Sequence, residues 1–209
     1  IAHLVERKKA SYSEFQGMVR RAITYILNRG PSTDQERWEE NGGLSPNSLA
    51  AVIQALNGAS ILEEKFGDSE LSRKYKEASV DWTKRFKGWA LISEGHFGKN
   101  YFARMELGGK GGWNANQHDY FEIKNKSPSQ KSWYREDEIL DIGFIQWIIG
   151  GVVATDDQDF THTLAICDQN LRKGAGYLRY TEDAYGENHR GGAWPLLSGE
   201  RALVAIEKR

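Results

Sequence analysis

Apolar residues recur at helical spacing in six stretches of this chain, and the stretches alternate between two kinds. From 68 to 91, Leu71, Tyr75, Ala78, Trp82, Phe86 and Trp89 recur at steps of three and four, opposite Arg73, Lys74, Glu77 and Lys84. That is a helix with one wet face. Residues 156–172 repeat the pattern with Phe160, Leu164, Cys167 and Leu171, and residues 11–29 with Phe15, Val19, Ala22 and Ile26. Residues 45–66 instead add Ala50, Ala51, Ala55, Gly58 and Ala59 around Leu49, Val52, Ile53, Leu56 and Leu62. Residues 136–150 are apolar nearly all round through Ile139, Leu140, Ile142, Phe144, Ile145, Trp147, Ile148 and Ile149, and Pro195 to Ile206 reads likewise with Leu196, Leu197, Leu203 and Val204. Helices of this second kind are expected to have protein on every side. Ser45 before Pro46, Asp68 and Asp156 are the expected N-caps.

The order is therefore exposed, buried, exposed, buried, exposed, buried. It predicts helical hairpins in two layers, and the lack of a fixed-length repeat favours a closed ring over a solenoid. The buried-to-exposed connections are short, around Gly67 and in "GVVATD". The exposed-to-buried connections are long: 30–44, 92–135 and 173–194. In an inner and outer ring, connections of one direction share one end, so these three long loops are expected on one face, where long loops carry function. Within the second, "KNYFARMELGG" and "HDYFEIKN" alternate well enough to predict a small hairpin with each other.

Composition narrows the partners. The chain has 209 residues, 39% hydrophobic and 27% charged, with a net charge of -1, which is ordinary for one globular domain. No basic run interleaved with aromatics marks nucleic acid or an acidic membrane surface. No apolar run reaches the roughly 18 to 20 residues of a spanning helix. The single cysteine, Cys167, rules out an internal disulfide, sits on an apolar stripe as packing, and leaves the compartment open. The sequence starts at Ile1 and stops just after the helical run "ALVAI". It reads as one stretch, 1–209, from the middle of a domain truncated at both ends.

The loops hold Trp38, Glu39 and Glu40; Trp113, His118, Asp119, Tyr120, Trp133 and Tyr134; and Arg179, Tyr180, Glu182, Asp183, Tyr185 and Trp194. Aromatic faces stack on pyranose rings while carboxylates and arginine bind hydroxyls, so this is the inventory of a sugar pocket, and also of many wet loops. The stretch "QERWEENGG" is the sharpest element. Two adjacent carboxylates repel each other, and two glycines in a row resist a helix. Glycoside hydrolysis needs a carboxyl still protonated at working pH, and a neighbouring carboxylate and a desolvating indole both favour the protonated form. A solvated acidic loop, with Trp38 plugging the ring, is the competing account.

The segment "GPSTDQERWEENGGLSP" resembles the general-acid segment of glycoside hydrolase family 15, the glucoamylases and glucodextranases, in bacterial and archaeal form. "DEILDIGFIQW" with "ATDDQDF" is similar to the family's next inner helix and turn, and "RYTEDAYGENHRGGAWPLLSGERA" to its later substrate loop. The resemblance implies an all-α fold, part of an (α/α)6 barrel, and inverting hydrolysis that releases glucose from non-reducing ends of α-glucosides. It also implies Glu39 as the general acid, Glu40 as a substrate-binding residue and Trp38 as pocket lining. In the third segment it implies Arg179 as the sugar-binding arginine, Asp183 as its loop support and Trp194 as pocket wall. The implied partner is an oligo- or polysaccharide, with no nucleic acid and no membrane.

Departures accompany the resemblance. Asp34 stands where the family has proline or glycine, and "ENHRGGAW" is a short link. The family's Trp-x-Arg-Asp segment upstream of the acid is absent, since "WYRED" lies downstream of it. No Glu-Gln pair, the mark of the family's base, occurs anywhere. Glu200 is not taken as a substitute, because the resemblance puts it on an inner helix before the base. The base is thus expected beyond Arg209. A non-catalytic carbohydrate-binding or scaffold relative is the alternative. No cofactor is called for, and the five histidines never adopt a metal-binding spacing; structural calcium on loop oxygens stays open. "GGKGGW" lacks the ending and setting of a phosphate loop and reads as a turn.

Overall fold

The computed structural model describes residues 1–108, 112–114, 116 and 119–207. Helices α1 (Ala2–Glu6), α2 (Tyr12–Arg29), α3 (Pro46–Phe66) and α4 (Ser69–Ala90) are followed by strands β1 (Leu91–Gly95), β2 (Gly98–Phe102), β3 (Tyr120–Glu122) and β4 (Trp133–Arg135). Then come α5 (Gln146–Ile149), α6 (Gln158–Asn170), β5 (Arg172–Lys173), β6 (Gly176–Tyr177) and α7 (Pro195–Glu207). The fold is all-α, with three two-stranded hairpins among the described residues. No helix among the described residues is long and apolar enough to cross a membrane. Two compact units divide it: Ile1–Pro31 with Ala51–Arg85, and Ser32–Ala50 with Phe86–Arg209.

The first unit packs α2 against parts of α3 and α4. Val19 and Ile23 meet Leu56, Ala59 and Leu62, with Tyr75 closing the cluster. Short side chains let α3 and α4 approach: Ser72 Oγ donates to Ser60 O at 2.8 Å and Ser60 Oγ donates to Ser72 O at 3.0 Å. The expected cap is present, with Glu70 N–H and Leu71 N–H both donating to Asp68 Oδ1. Glu63 is fully buried in this apolar setting, and its carboxylate is completely used. It accepts from Arg20 Nε and Nη2, both at 2.8 Å, from Tyr12 OH at 2.5 Å and from Asp68 N–H at 2.9 Å.

The second unit centres on stacked aromatics. Phe86 lies on Trp147 with centroids 3.7 Å apart and on Phe102 at 4.9 Å, and Phe102 meets Phe160 at 4.5 Å. Trp147 Nε1 donates to Pro46 O at 2.7 Å, so the buried indole leaves no polar atom unmatched.

Four expectations need correction. Residues 136–150 are not one helix: a 3-10 turn at 136–138 gives way to extended backbone, a second 3-10 turn at 142–145 and the single turn α5. The burial is as read, with Ile139, Leu140, Ile142 and Ile145 all at 0% exposure, but the backbone is committed elsewhere. Ile139 O accepts from Arg104 N–H, Leu140 O from Thr181 N–H, and Asp141 bridges Tyr180. Secondly, the two segments expected to pair take other partners, β1 with β2 and β3 with β4. Gly98, with φ +106°, allows the tight β1–β2 turn that captures the first segment. Thirdly, the cap of α6 is Asp157, which accepts from Asp159 N–H, and not Asp156. Lastly, α3 and α7 are not covered all round: Ala51, Ala55 and Ile61 of α3 and Leu196, Leu203 and Ile206 of α7 are exposed.

Arg20, ahead of the opposing effect of burial, holds the Glu63 carboxyl at about 2, below its ordinary 4.5. Its contribution to stability is therefore complete above pH 4.5 and lost as pH falls through about 2. Arg20 is partly in solvent, which screens the pair, so Glu63→Gln is expected to cost about 1 to 3 kcal/mol at pH 7. It should also flatten the acid loss. Thermal midpoints from pH 7 to 2 check both; a variant as stable as the parent at neutral pH would refute the assignment.

Candidate functional site

The second unit contains the candidate site, and it begins with a pinched loop. Thr33 and Gly43 exchange backbone hydrogen bonds at 3.0 and 2.9 Å, and Leu44 then pairs with Glu106. This explains the two glycines. A Cβ on Gly42 would stand 2.6 Å from Asp34 O, and Gly43, at φ +150°, would put one 2.6 Å from Glu106 O.

Inside the pinch the chain turns back on itself. Glu39 N–H donates to Glu36 O at 2.9 Å, and Glu36 N–H to Asn41 O at 2.8 Å. The Glu36 carboxylate folds over the same turn, accepting from Trp38 N–H at 2.7 Å and Glu40 N–H at 3.3 Å. Glu39 has φ +60°, in the left-handed region, a conformation that costs a glutamate about 1–2 kcal/mol. That reversal resolves the carboxylate doublet, because it sends the two neighbours into opposite surroundings. Glu39 is exposed, and no described residue hydrogen-bonds its carboxyl. Glu40 is 4% exposed.

Glu40 is engaged on every side. It accepts from Tyr180 OH at 2.6 Å and Asn125 Nδ2 at 2.7 Å, with Arg104 Nη2 and Arg179 Nη2 each 3.3 Å away. Its backbone oxygen also accepts from Lys124 Nζ. Burial, reinforced by the charge of Glu40, pushes the Tyr180 phenol well above its usual value and keeps it a donor. Arg179 holds Asp183 bidentately, Nε at 2.9 Å and Nη2 at 2.8 Å, and Asp183 also accepts from Tyr185 N–H.

Aromatic rings surround Arg179: Tyr185 at 4.7 Å, Trp38 at 5.3 Å and Trp194 at 5.7 Å from its guanidinium carbon. Trp38 and Trp194 have centroids 6.5 Å apart, and Tyr185 and Trp194 5.7 Å. Trp38 Nε1 donates to Asp141 Oδ2 at 2.6 Å, and Arg37 lies over the Trp38 ring while pairing bidentately with Glu200 at 2.8 and 2.6 Å. Burial pushes Asp141 up to about 6, against the pull of Arg104.

All six expected site residues, Trp38, Glu39, Glu40, Arg179, Asp183 and Trp194, belong to this cluster or its rim, and the three long loops do converge. Of the other loop aromatics, Tyr134 packs with Tyr180 in the cluster that Trp38 borders, and the rest lie elsewhere. Trp113 packs edge-on to Trp89 at 5.4 Å, Tyr120 and Trp133 are 58% exposed on the β3–β4 hairpin, and Tyr134 donates to Glu182. His118 and part of "GGKGGW" lie outside the described residues. Arg104, Asp141 and Asn125 were not anticipated. The signal for the first two was a charge between apolar neighbours, Arg104 between Ala103 and Met105 in "YFARMEL" and Asp141 in "ILDIGF", since a charge enclosed by apolar neighbours needs a buried partner.

The two glutamates should therefore respond oppositely to substitution. Glu40→Gln leaves Arg104 and Arg179 short of a buried counter-charge and is expected to cost about 2–4 kcal/mol. Glu39→Gly relieves a left-handed residue whose carboxyl no described residue hydrogen-bonds, keeps its backbone bonds, and should stay within about 1 kcal/mol of the parent. Thermal unfolding of both distinguishes them, and equal losses would contradict this geometry.

The chain resembles known proteins in sequence and fold. The chain is 31% identical to a glucoamylase of Clostridium sp. (strain G0005), over 93% of this chain and 29% of that protein. It superimposes on the crystal structure of a bacterial glucoamylase complexed with acarbose with a TM-score of 0.81 and 30% identity, over 94% of this chain and 30% of that one. A wild-type glycosidase of 16% identity shares the fold, with a TM-score of 0.67 over 99% of this chain and 45% of that one. The chain thus spans under a third of the length of the two glucoamylases, and its helices form part of the helical barrel of such enzymes. The model of the family described as Glycosyl hydrolases family 15 matches residues 2–205, and the chain belongs to that family.

Proposed function

We propose that this chain is the central, acid-bearing portion of a single (α/α)6 catalytic domain that releases glucose from the non-reducing ends of α-glucosides with inversion. One observation carries the reading. In a turn whose other two carboxylates, Glu36 and Glu40, are buried and tied down, Glu39 alone is presented outward, beside Trp38 and the Arg179 cluster. A carboxyl turned to solvent that no described residue hydrogen-bonds is free to come within hydrogen-bond reach of a substrate oxygen, as a proton donor must.

In this mechanism Glu39 gives its proton to the glycosidic oxygen as the bond to C1 breaks, and a water activated by a second carboxylate attacks C1 from the opposite face. That base stands in a part of the whole protein which this chain does not span. Trp38, Trp194 and Tyr185 offer ring faces to the sugar, and Arg179 donates to its hydroxyls. Asp183 fixes the Arg179 plane. Glu40, carried over by resemblance as a substrate-binding residue, has its carboxylate committed to protein donors and serves first to orient them. The acarbose held by the bacterial glucoamylase relative supports an oligosaccharide ligand. The chemistry requires no cofactor.

In the whole protein, Glu39→Gln is expected to lower turnover of an α-linked glucose oligomer by about 10²–10⁴ while substrate affinity is kept. Arg179→Ala should weaken binding and slow turnover together. Steady-state kinetics and anomer detection on the released glucose check these outcomes. Near-parental turnover by Glu39→Gln would exclude it as the acid, and an unchanged kcat/KM for Arg179→Ala would remove its sugar-binding role.

A further inference from the structure

Arg104 lies just past β2, with its own N–H donating to Ile139 O at 3.2 Å, and it is 1% exposed. Its guanidinium lies over the Tyr180 ring at 3.7 Å. Three carboxylates surround it: Glu36 Oε1 at 3.0 Å, Glu40 Oε2 at 3.3 Å and Asp141 Oδ2 at 3.8 Å. Each controls a different part of the turn. Glu36 takes the backbone N–H of Trp38 and of Glu40, Glu40 is the residue after the proposed acid, and Asp141 fixes the Trp38 indole. The residues on both sides of Glu39 are thus tied to one cation, while no described residue hydrogen-bonds the Glu39 carboxyl.

A second feature sets this cation apart from a stability element. Arg104 Nε and Nη1 are buried, and no described residue is their hydrogen-bond partner. A buried guanidinium with unmatched donors is a poor way to stabilise a fold, and an apolar residue of similar size often does as well or better. Its placement is explained by what it aims.

We propose that Arg104 is the positioning residue of the general acid: it draws Glu36, Glu40 and Asp141 onto one point and so holds the left-handed turn that presents Glu39 to the glycosidic oxygen. The proposal rests on the reading of Glu39 given above. Arg104 touches no substrate in this account. It acts through the turn, where displacement of the acid by about 1 Å is enough to slow the chemical step on the order of a hundredfold.

The test compares Arg104→Met and Arg104→Lys in the whole protein, with kcat and KM on an α-linked glucose oligomer and thermal midpoints for each. Arg104→Met is expected to lower kcat about a hundredfold with KM within about threefold, because Arg179 keeps its bidentate hold on Asp183 and its contacts with the Tyr185 and Trp194 rings. Arg104→Lys restores a point charge and should recover about a tenth of the parental kcat. If the methionine variant fails to fold, the same split between kcat and KM in a folded lysine variant supports the role. A folded methionine variant with near-parental kcat overturns it. So does a loss of kcat that merely follows the thermal midpoint and is equal in both variants. A parent that hydrolyses no α-glucoside removes the Glu39 reading itself, and that failure is visible before any variant is measured.

Discussion

The shape of the 34–42 loop depends on two guanidiniums held inside the protein. Among the described residues of the second unit the buried cations are Arg104 and Arg179, and the buried acids are Glu36, Glu40, Asp141 and Asp183 beside them and Glu106, Glu136 and Asp137. Acids outnumber bases, so the balance is made up by other donors and by protons. Tyr180 and Asn125 share Glu40, and backbone N–H groups cover Glu36 and Asp183. Burial pushes Asp141 up to about 6, and burial followed by the carboxyl of Glu136 pushes Glu106 up to about 9. An interior so short of cations makes each guanidinium decisive for where its carboxylates settle.

This arrangement lets one glutamate be different from its neighbour. A left-handed residue costs energy unless the surroundings leave no alternative. The pinch at Thr33 and Gly43, the Glu36 carboxylate over the turn and the anchored Glu40 together leave none. Strain at Glu39 is thus the consequence of satisfied neighbours, which is the relation expected where local stability is given up for function.

Much of this was legible in the residues. Apolar spacing marked the long helices α2, α3, α4, α6 and α7 because their patterns extend over several turns, and the convergence of the long loops followed from the alternation of inner and outer helices. The segment 136–150 misled because a fully buried apolar run has no wet face to betray its period. Its backbone hydrogen bonds go to residues 104 and 179–181, which no local pattern announces. In the candidate site, Glu39, Arg179 and Trp194 were singled out by motif resemblance, and the structure gathers them in the second unit. Arg104 and Asp141 were not singled out, since their roles arise only when β2, the 141 turn and the 36–40 loop meet.

A comparison with Glu63 separates the two uses of a buried carboxylate in this chain. Glu63 has Arg20, Tyr12 and the Asp68 N–H arranged so that its lone pairs are matched, and its carboxyl sits at about 2. That is how an acid stabilises a helix pair: complete bonding to the charged form outweighs burial. Around Arg104 the same residue types are left incomplete, with two guanidinium nitrogens unmatched and Asp141 raised to about 6. Unmatched donors and displaced protons lower stability, so their presence in one cluster and absence from the other needs a reason beyond folding. On the proposal that Arg104 positions Glu39, orientation supplies that reason, because the second cluster ties down both neighbours of a left-handed residue whose carboxyl is turned to solvent.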